Sequence, residues 1–388
     1  MKQATPDRST PPAQGNSALP PKTLMVGKSE FEFPSPDLGL LQPSNDQLQT
    51  IHQGGDAAQI AGAELRERLK RTGYLFFRGA LPVALVERCR RRAVAAVTES
   101  IERDNLHPTA RHVMLASTQW HHDAAVAECV EAPELFTIFQ ALFGEPAVTF
   151  DYKWMRGMPP GGHSAFHMDN IYMGQGTQDL VTAWLPLSNV TWVTGGLCVL
   201  EGSSSLEGFE HMRQTYGQWD TQTGDAHSRL MGRNDIRTRN GAPHPGPISS
   251  SAEELLRYDR RARWLTSDYR QGDVLLFTMH TLHGSVTNTT GQQTIDSTMD
   301  IPRDFRCSVD VRFQPASAPM DPRYCVEGMG PSALTRMTCH AAPSAVSSSW
   351  KARPQRMQSL IPEICMRLNA TGVCCRLTIE PERYCIRA

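Results

Sequence analysis

Long apolar runs are missing from this sequence. No stretch approaches the ~18 consecutive apolar residues that a membrane-spanning helix requires, so no membrane span is expected. A charge of one sign is missing too: 39 basic and 40 acidic residues leave a formal net charge of −1. That balance gives no field to recruit nucleic acid or an anionic membrane surface. The ten cysteines contain no CxxC pair and no regular spacing. The first residues, MKQATPDRSTPPAQGNSALPPK, lack the apolar core of a secretory signal. Reduced thiols and a cytoplasmic setting are therefore expected. What remains is an ordinary globular composition over 388 residues, 40% hydrophobic and 20% charged, long enough for a substantial core.

Along the chain, residues 1–24 are rich in Pro, Ser, Thr and Gln and have little to bury, which predicts a disordered tail. Residues 25–143 are expected to supply a strand and helices that pack on a core. Helical spacing runs over Asp56–Arg71 and Pro82–Val97, and Gly73–Gly79 is a short aromatic strand. The basic group Arg88, Arg90, Arg91 and Arg92 reads as a solvated face, without the aromatic interleaving of a nucleic-acid site. Arg111–Phe143 reads as mostly helical. It contains Trp120-His121-His122-Asp123, whose adjacent histidines would diverge on a helix rather than share an ion. From Gly144 to Pro315 the pattern changes to short strands with Gly, Pro, Asn and Ser punctuation. That predicts a mainly β fold with flanking helices. The polar interval 203–270, with a helical patch at Ala252–Arg263, reads as an insertion that could cover a pocket. Residues 316–388, holding six of the ten cysteines, are poorly patterned and have no zinc-like His/Cys spacing.

Chemistry concentrates at His167-Met168-Asp169. On an extended strand, residues two apart share a face, so an imidazole and a carboxylate can converge on one ion. A second histidine would complete the facial set of a non-haem Fe(II) centre. Two candidates follow the apolar run Gly272–Thr278, namely His280 and His283. They have opposite parity, so a strand would aim only one inward, and spacing does not choose between them. In Arg306-Cys-Ser308-Val-Asp310-Val-Arg312, alternation puts the four polar residues on one face. That face is either solvent-exposed or a carboxylate clamp built on Arg306 and Ser308. His163 follows Pro159, Pro160, Gly161 and Gly162, which argues against a helical HxxxH pair with His167.

The ordered set of His167-Met-Asp169, LVTAWLPL, Gly195-Gly196, Gly272-Asp-Val, His283-Gly-Ser285 and Arg306-x-Ser308 resembles the phytanoyl-CoA dioxygenase family over roughly Gly73–Pro315. The resemblance implies a double-stranded β-helix (jelly-roll, cupin-like) core. It also implies an oxygenase dependent on Fe(II), 2-oxoglutarate and O2, which hydroxylates or desaturates a C–H bond of a small molecule, with succinate and CO2 as coproducts. It makes His167, Asp169 and His283 the metal ligands, because His283 carries the His-Gly-Ser match that His280 lacks. Arg306 and Ser308 become the holders of the 2-oxoglutarate distal carboxylate, with Trp184 beside it. Arg303 and Arg312 rank lower, since neither heads an Arg-x-Ser pair. The interval from His283 to Arg306 is longer than the family usually shows, through an extra loop at Gly291–Asp304. A retained aspartate favours hydroxylation or desaturation over halogenation. The alternatives are a cupin-type hydrolase or isomerase and a non-catalytic barrel. The family's substrates include acyl-CoA thioesters, amino acids and natural products, so the resemblance selects none. A monomer or homodimer is expected.

Overall fold

The layers follow from strands buried on both faces, with alternate residues packing on opposite sides. In this computed structural model the described residues are 21–103, 113–117, 120, 123–150, 153–174, 176–216, 247–290 and 304–321. A large sheet runs in the order β4 (Tyr74–Phe77), β11 (Val274–Thr278), β8 (Val181–Pro186), β13 (Arg306–Pro315), β7 (Lys153–Met158) and β5 (Val113–Ser117). Its neighbours are antiparallel, and β6 (Ala147–Thr149) also pairs with β13. A smaller sheet runs β12 (His283–Ser285), β9 (Leu197–Glu201), β10 (Arg263–Thr266) and β3 (Leu38–Leu40), with only β3 parallel to its neighbour.

The two sheets meet through their inner faces. Tyr74, Phe76, Trp184, Leu275 and Phe277 of the large sheet pack with Leu197, Val199 and Leu265 of the small one. Residues of opposite parity on the large sheet (Leu75, Phe77, Ala183, Val309, Val311, Phe313) face the helices. Those helices are α1 (Asn45–Gln53), α2 (Gly55–Thr72), α3 (Val83–Arg103), α4 (Ala124–Val130) and α5 (Pro133–Phe143). Phe139 of α5 stacks on Phe313 with centroids 4.1 Å apart. A Cβ at Gly62 would lie 2.1 Å from the Ala141 carbonyl oxygen, so only glycine lets α2 and α5 approach this closely. Every residue of β8 and β13 is buried, as strands covered on both faces must be. The arrangement is the double-stranded β-helix, with helices on one outer face.

Several boundaries differ from expectation. Thr23–Val26 is a strand, β1, paired with β2 (Ser29–Glu32), so the tail read to residue 24 does not extend that far. The hairpin's turn hydrogen-bonds onto the end of β12, through Gly27 N–H to the Ser285 carbonyl. The segment before residue 144 contributes β3, β4 and β5 to the two sheets, and β5 interrupts the region read as helical. The helical patch at Ala252–Arg263 is realised only as α8 (Ala252–Leu256), preceded in the excursion by a 3-10 turn and α7 (Glu210–Thr215). Arg263 begins β10, a strand of the small sheet, so the excursion from β9 closes at Ala262 rather than 270. Residues 1–20, 217–246, 291–303 and 322–388 lie outside the described residues. So do His121, His122, Arg303 and the six C-terminal cysteines.

The basic group on α3 is a surface feature. Arg88, Arg90 and Arg92 pair with Glu128, Glu87 and Asp123. Asp123 also caps α4 through its side chain, and Trp120 lies under the Arg92 guanidinium. The Gly-Asp-Val motif has a structural role. Asp273 accepts hydrogen bonds from Arg78, Gly79 N–H and Arg270 N–H, which locks the start of β11 to the end of β4. Among the described residues, no helix is long and apolar enough to cross a membrane.

Candidate metal centre

Two chain segments meet at His167 and His283, which form an isolated antiparallel bridge with N–H to carbonyl distances of 3.1 Å in both directions. The neighbours of His283 explain why they can meet. Gly284 has no Cβ, and one built there would lie 2.5 Å from the Phe166 ring and 2.8 Å from the Ser164 carbonyl oxygen. Ser285 Oγ accepts the Ser164 N–H at 2.8 Å. The His-Gly-Ser sequence thus supplies a donor atom, a gap for the opposite segment and a hydrogen bond that pins it.

Asp169 reaches the histidines differently from the way the strand argument supposed. The extended backbone ends at His167. Asp169 is in helical conformation (φ −71°, ψ −19°) at the N-cap position of α6 (Asn170–Met173). A turn rather than strand parity brings the carboxylate round. His283, likewise, does not end β11 but opens β12 in the other sheet. His280 points elsewhere and pairs with Gln178 at 2.8 Å.

The ligand-capable atoms of His167, Asp169 and His283 all lie within 4.8 Å of one another. Asp169 Oδ1 is 3.9 Å from His167 Nε2 and 3.8 Å from His283 Nε2. Each imidazole engages a backbone carbonyl through Nδ1, His167 with Ala165 at 2.8 Å and His283 with Thr281 at 2.9 Å. With Nδ1 as donor, each Nε2 presents a lone pair to the common centre. Burial, reinforced at His167 by the neighbouring His283, lowers both histidine pKa values, that of His167 to about 3. Both are therefore neutral at physiological pH, the form that binds a cation. Burial alone would raise the Asp169 carboxyl, but the Arg312 guanidinium, the two imidazoles and the Thr182 hydroxyl outweigh it and hold it below the usual range.

Asp169 Oδ2 is engaged away from the histidines. It accepts from Thr182 Oγ1 at 2.6 Å and from Arg312 Nη2 at 3.2 Å. Thr182 and Arg312 are direct cross-strand partners on β8 and β13, so the large sheet presents them as a pair. Only Oδ1 is left facing the imidazoles.

The polar row of β13 faces inward rather than into solvent. Arg306, Ser308, Asp310 and Arg312 are all buried. Nε, Nη1 and Nη2 of Arg306, Ser308 Oγ and Trp184 Nε1 are buried without a hydrogen-bond partner. Arg306 lies 5.8 Å from the centroid of the Trp184 ring, which sits edge-on to Tyr269. Burial, then the nearby Arg156, lowers the Arg306 pKa to about 10, so the guanidinium remains charged at neutral pH. Asp310 takes Arg156 Nε at 2.6 Å. Trp154 lies against Arg312, with the guanidinium carbon 4.1 Å from its ring centroid, and Tyr172 is edge-on to His167.

A match to the phytanoyl-CoA dioxygenase (PhyH) description over residues 69–294 covers more than half of the chain and includes His167, Asp169, Trp184 and His283. The chain belongs to the phytanoyl-CoA dioxygenase family. Within that frame it is similar to a 1-deoxypentalenic acid 11-beta-hydroxylase of Streptomyces arenae, 27% identical over 227 residues, 57% of this chain and 62% of the hydroxylase. The chain thus spans about three fifths of that relative's length. The protein of the same description from Streptomyces exfoliatus is 26% identical over 259 residues, 63% of this chain and 78% of the relative. Among solved structures, the non-heme alpha ketoglutarate dependent carbocyclase SnoK from nogalamycin biosynthesis aligns at TM-score 0.45 with 16% identity, covering 70% of this chain and 88% of that one. EctD from S. alaskensis with 2-oxoglutarate and 5-hydroxyectoine aligns at TM-score 0.43 with 15% identity, covering 79% and 86%.

Thr182, Arg156, Asp310 and Arg312 were not singled out as parts of the site by motif. Alternation carried the signal for three of them. Thr182 has the parity of Trp184, and Asp310 and Arg312 have that of Arg306.

Proposed function

We propose that the protein is an Fe(II)- and 2-oxoglutarate-dependent dioxygenase that hydroxylates or desaturates a C–H bond of a small molecule. The observation that carries this reading is the fully buried Arg306, with three nitrogens lacking an acceptor, beside two further orphaned donors on Ser308 and Trp184. Burying a guanidinium with nothing to accept its hydrogens costs several kcal/mol, and a small dicarboxylate would satisfy it. A hydrolase or isomerase using the same three ligands would have no need of that pocket. The hydroxylase relatives act, by their description, on 1-deoxypentalenic acid, which supports a small-molecule substrate here.

In this reading, the Nε2 atoms of His167 and His283 and Oδ1 of Asp169 would hold the metal. Fe(II) and 2-oxoglutarate, when bound, would supply the O2 chemistry that oxidises the substrate C–H bond, with succinate and CO2 as coproducts. The protein's own work is positional. Thr182 and Arg312 hold Oδ2 so that the carboxylate offers a single oxygen. Arg306 and Ser308 take the distal carboxylate of the 2-oxo acid, with Trp184 Nε1 as a further donor along its length. Burial of the whole row keeps water from competing for these donors.

The excursion between β9 and β10 bears on the same site at both ends. Asn170 Nδ2, next to Asp169, donates to the Tyr216 carbonyl at 2.7 Å. On the return side, Phe166 exchanges backbone hydrogen bonds with Ser249 and Ile248. The residues flanking His167-Met-Asp169 are therefore tied to the excursion, which supports its role as a cover over the substrate.

The test is anaerobic titration of the Fe(II)-loaded protein with 2-oxoglutarate. A weak visible metal-to-ligand charge-transfer band is expected, and Asp169→Ala is expected to abolish both the band and succinate release. A wild-type protein that binds Fe(II) but shows no band sinks the assignment.

A further inference from the structure

We propose that Asn170 is a positioning residue that couples the outbound end of the excursion after β9 to the metal-holding turn. The inference rests on the metal-centre reading above and deepens it. Asn170 directly follows Asp169 and is 6% exposed. Its backbone N–H already has an acceptor, the Met279 carbonyl at 3.0 Å, so the side chain is not needed to satisfy the start of α6. Instead Nδ2 crosses to the Tyr216 carbonyl at 2.7 Å, just past the end of α7. An amide turned to donate there leaves Oδ1 buried without a partner among the described residues. A buried orphan acceptor costs free energy, so for stability alone an apolar side chain of similar shape would serve as well. The bond to the excursion is what the amide adds.

Tyr216 brackets Asp169. Its ring packs with Phe166 and Met168, its hydroxyl bonds the Met168 backbone, and its carbonyl takes Asn170. Asp169 lies between those two contacts. The Asp169 carbonyl in turn accepts Tyr172 N–H at 2.9 Å and Met173 N–H at 3.1 Å, which stiffens the turn. With Oδ1 engaged by a cation, the torsions of Asp169 are fixed, and with them the place of Asn170 Nδ2 one residue on. Hydrogen bonds weaken steeply with misalignment, so a fixed turn holds Tyr216 better than a free one. By linkage the reverse holds with the same factor: Tyr216 seated on the turn strengthens cation binding. The return end differs. Ile248 and Ser249 pair with Phe166 through backbone atoms, upstream of the turn, and need no side chain. The coupling therefore belongs to the outbound end and to one amide.

The experiment uses the chelator-treated full chain with Ni(II) as the probe, and hydrogen exchange read by mass spectrometry over residues 210–216. Local opening of so short a helix governs exchange there, and a gain in global stability alone does not slow it. Saturating Ni(II) is expected to slow that exchange roughly 10-fold in the wild-type protein, a common size for coupling between sites. Asn170→Leu keeps the approximate shape and loses the donor. It is expected to bind Ni(II) roughly 10-fold more weakly by chelator competition, and to show no slowing over 210–216 once Ni(II) again saturates. Its thermal midpoint without metal should match the wild type, a separation that a packing role would not produce. If Asn170→Leu fails to fold, Asn170→Asp, of the same shape and without the donor at neutral pH, carries the same expectations. No slowing in the wild-type protein at saturating Ni(II) overturns the proposal, as does slowing that survives in the variant. A metal-free midpoint that falls while Ni(II) affinity holds assigns Asn170 to packing and overturns it too. A wild-type protein that binds no Ni(II) is a different failure, because it removes the metal centre beneath.

Discussion

Arg306 and His167 are buried polar groups with opposite demands. Arg306 keeps its charge in the core and lacks an acceptor; His167 gives up its charge to stay there. Replacing Arg306 by leucine removes the proposed distal-carboxylate partner while leaving the three metal-facing atoms untouched. We expect 2-oxoglutarate affinity to fall at least 100-fold with Fe(II) affinity changed less than threefold, read by titration of the charge-transfer band and by iron retention after desalting. Arg306→Lys keeps a charge but loses the planar fork, and should recover only a small part. Parallel losses in both affinities would assign Arg306 to the architecture of the metal site instead. For His167, the unfolded chain takes up a proton near pH 6.5, whereas the folded metal-free protein resists until about pH 3. Between those values the unfolded state binds more protons, so stability falls as pH falls, by about 1.4 kcal/mol per pH unit for this group. Denaturant midpoints of chelator-treated protein at pH 7 and pH 5.5 should show the loss. His167→Gln should show a shallower one; an identical slope would mean that His167 is not buried neutral.

At the scale of elements, the contact between β12 and the His167 segment is the joint on which the centre depends. Gly284→Ala places a methyl group against the Phe166 ring and the Ser164 carbonyl, and the two segments must move apart to admit it. Overpacking of this kind costs about 1–3 kcal/mol. The expected signature is a loss of metal affinity, at least 10-fold by competition with a chromogenic chelator, larger than the fall in thermal stability would explain. A variant with normal metal affinity would show that the joint is more compliant than its packing suggests. The same joint shows how far the sequence could be read. Strand parity correctly put Arg306, Ser308, Asp310 and Arg312 on one face, because β13 is regular and buried throughout. It gave the wrong reason for Asp169, which reaches the histidines through a helical turn that a two-residue spacing cannot distinguish from a strand. It could not choose between His280 and His283, because the chain turns at Met279–Leu282 and enters the other sheet. Arg263–Thr266 was absorbed into a polar interval. Both of its partners, β3 and β9, lie more than 60 residues away in sequence, so no local pattern announces the pairing. The role of Arg312 was missed for another reason: it depends on a cross-strand partner, Thr182, which no motif names.

For the whole molecule, the centre joins segments from both sheets. His283 belongs to the small sheet, Thr182 and Arg312, which hold Asp169, belong to the large one, and His167 and Asp169 lie on the connection from β7 to β8. An ion held by His167, Asp169 and His283, as proposed, would therefore bridge segments tied to both sheets, and its binding would be linked to global folding. At 100 times its dissociation constant a ligand specific for the folded state adds about 2.7 kcal/mol. For a domain of this size, each kcal/mol corresponds to roughly 2–4 °C. Chelator-treated protein should accordingly rise by about 5–10 °C in thermal midpoint on adding saturating Ni(II), a redox-inert stand-in for Fe(II). 2-Oxoglutarate should add a further increment only when the metal is present. Asp169→Ala should abolish the metal response, because it removes the one carboxylate of the candidate triad and takes from Arg312 and Thr182 the oxygen they share. Arg306→Leu should keep the metal increment and lose the 2-oxoglutarate one. A metal response that persists in Asp169→Ala would locate the stabilising ion elsewhere in the chain.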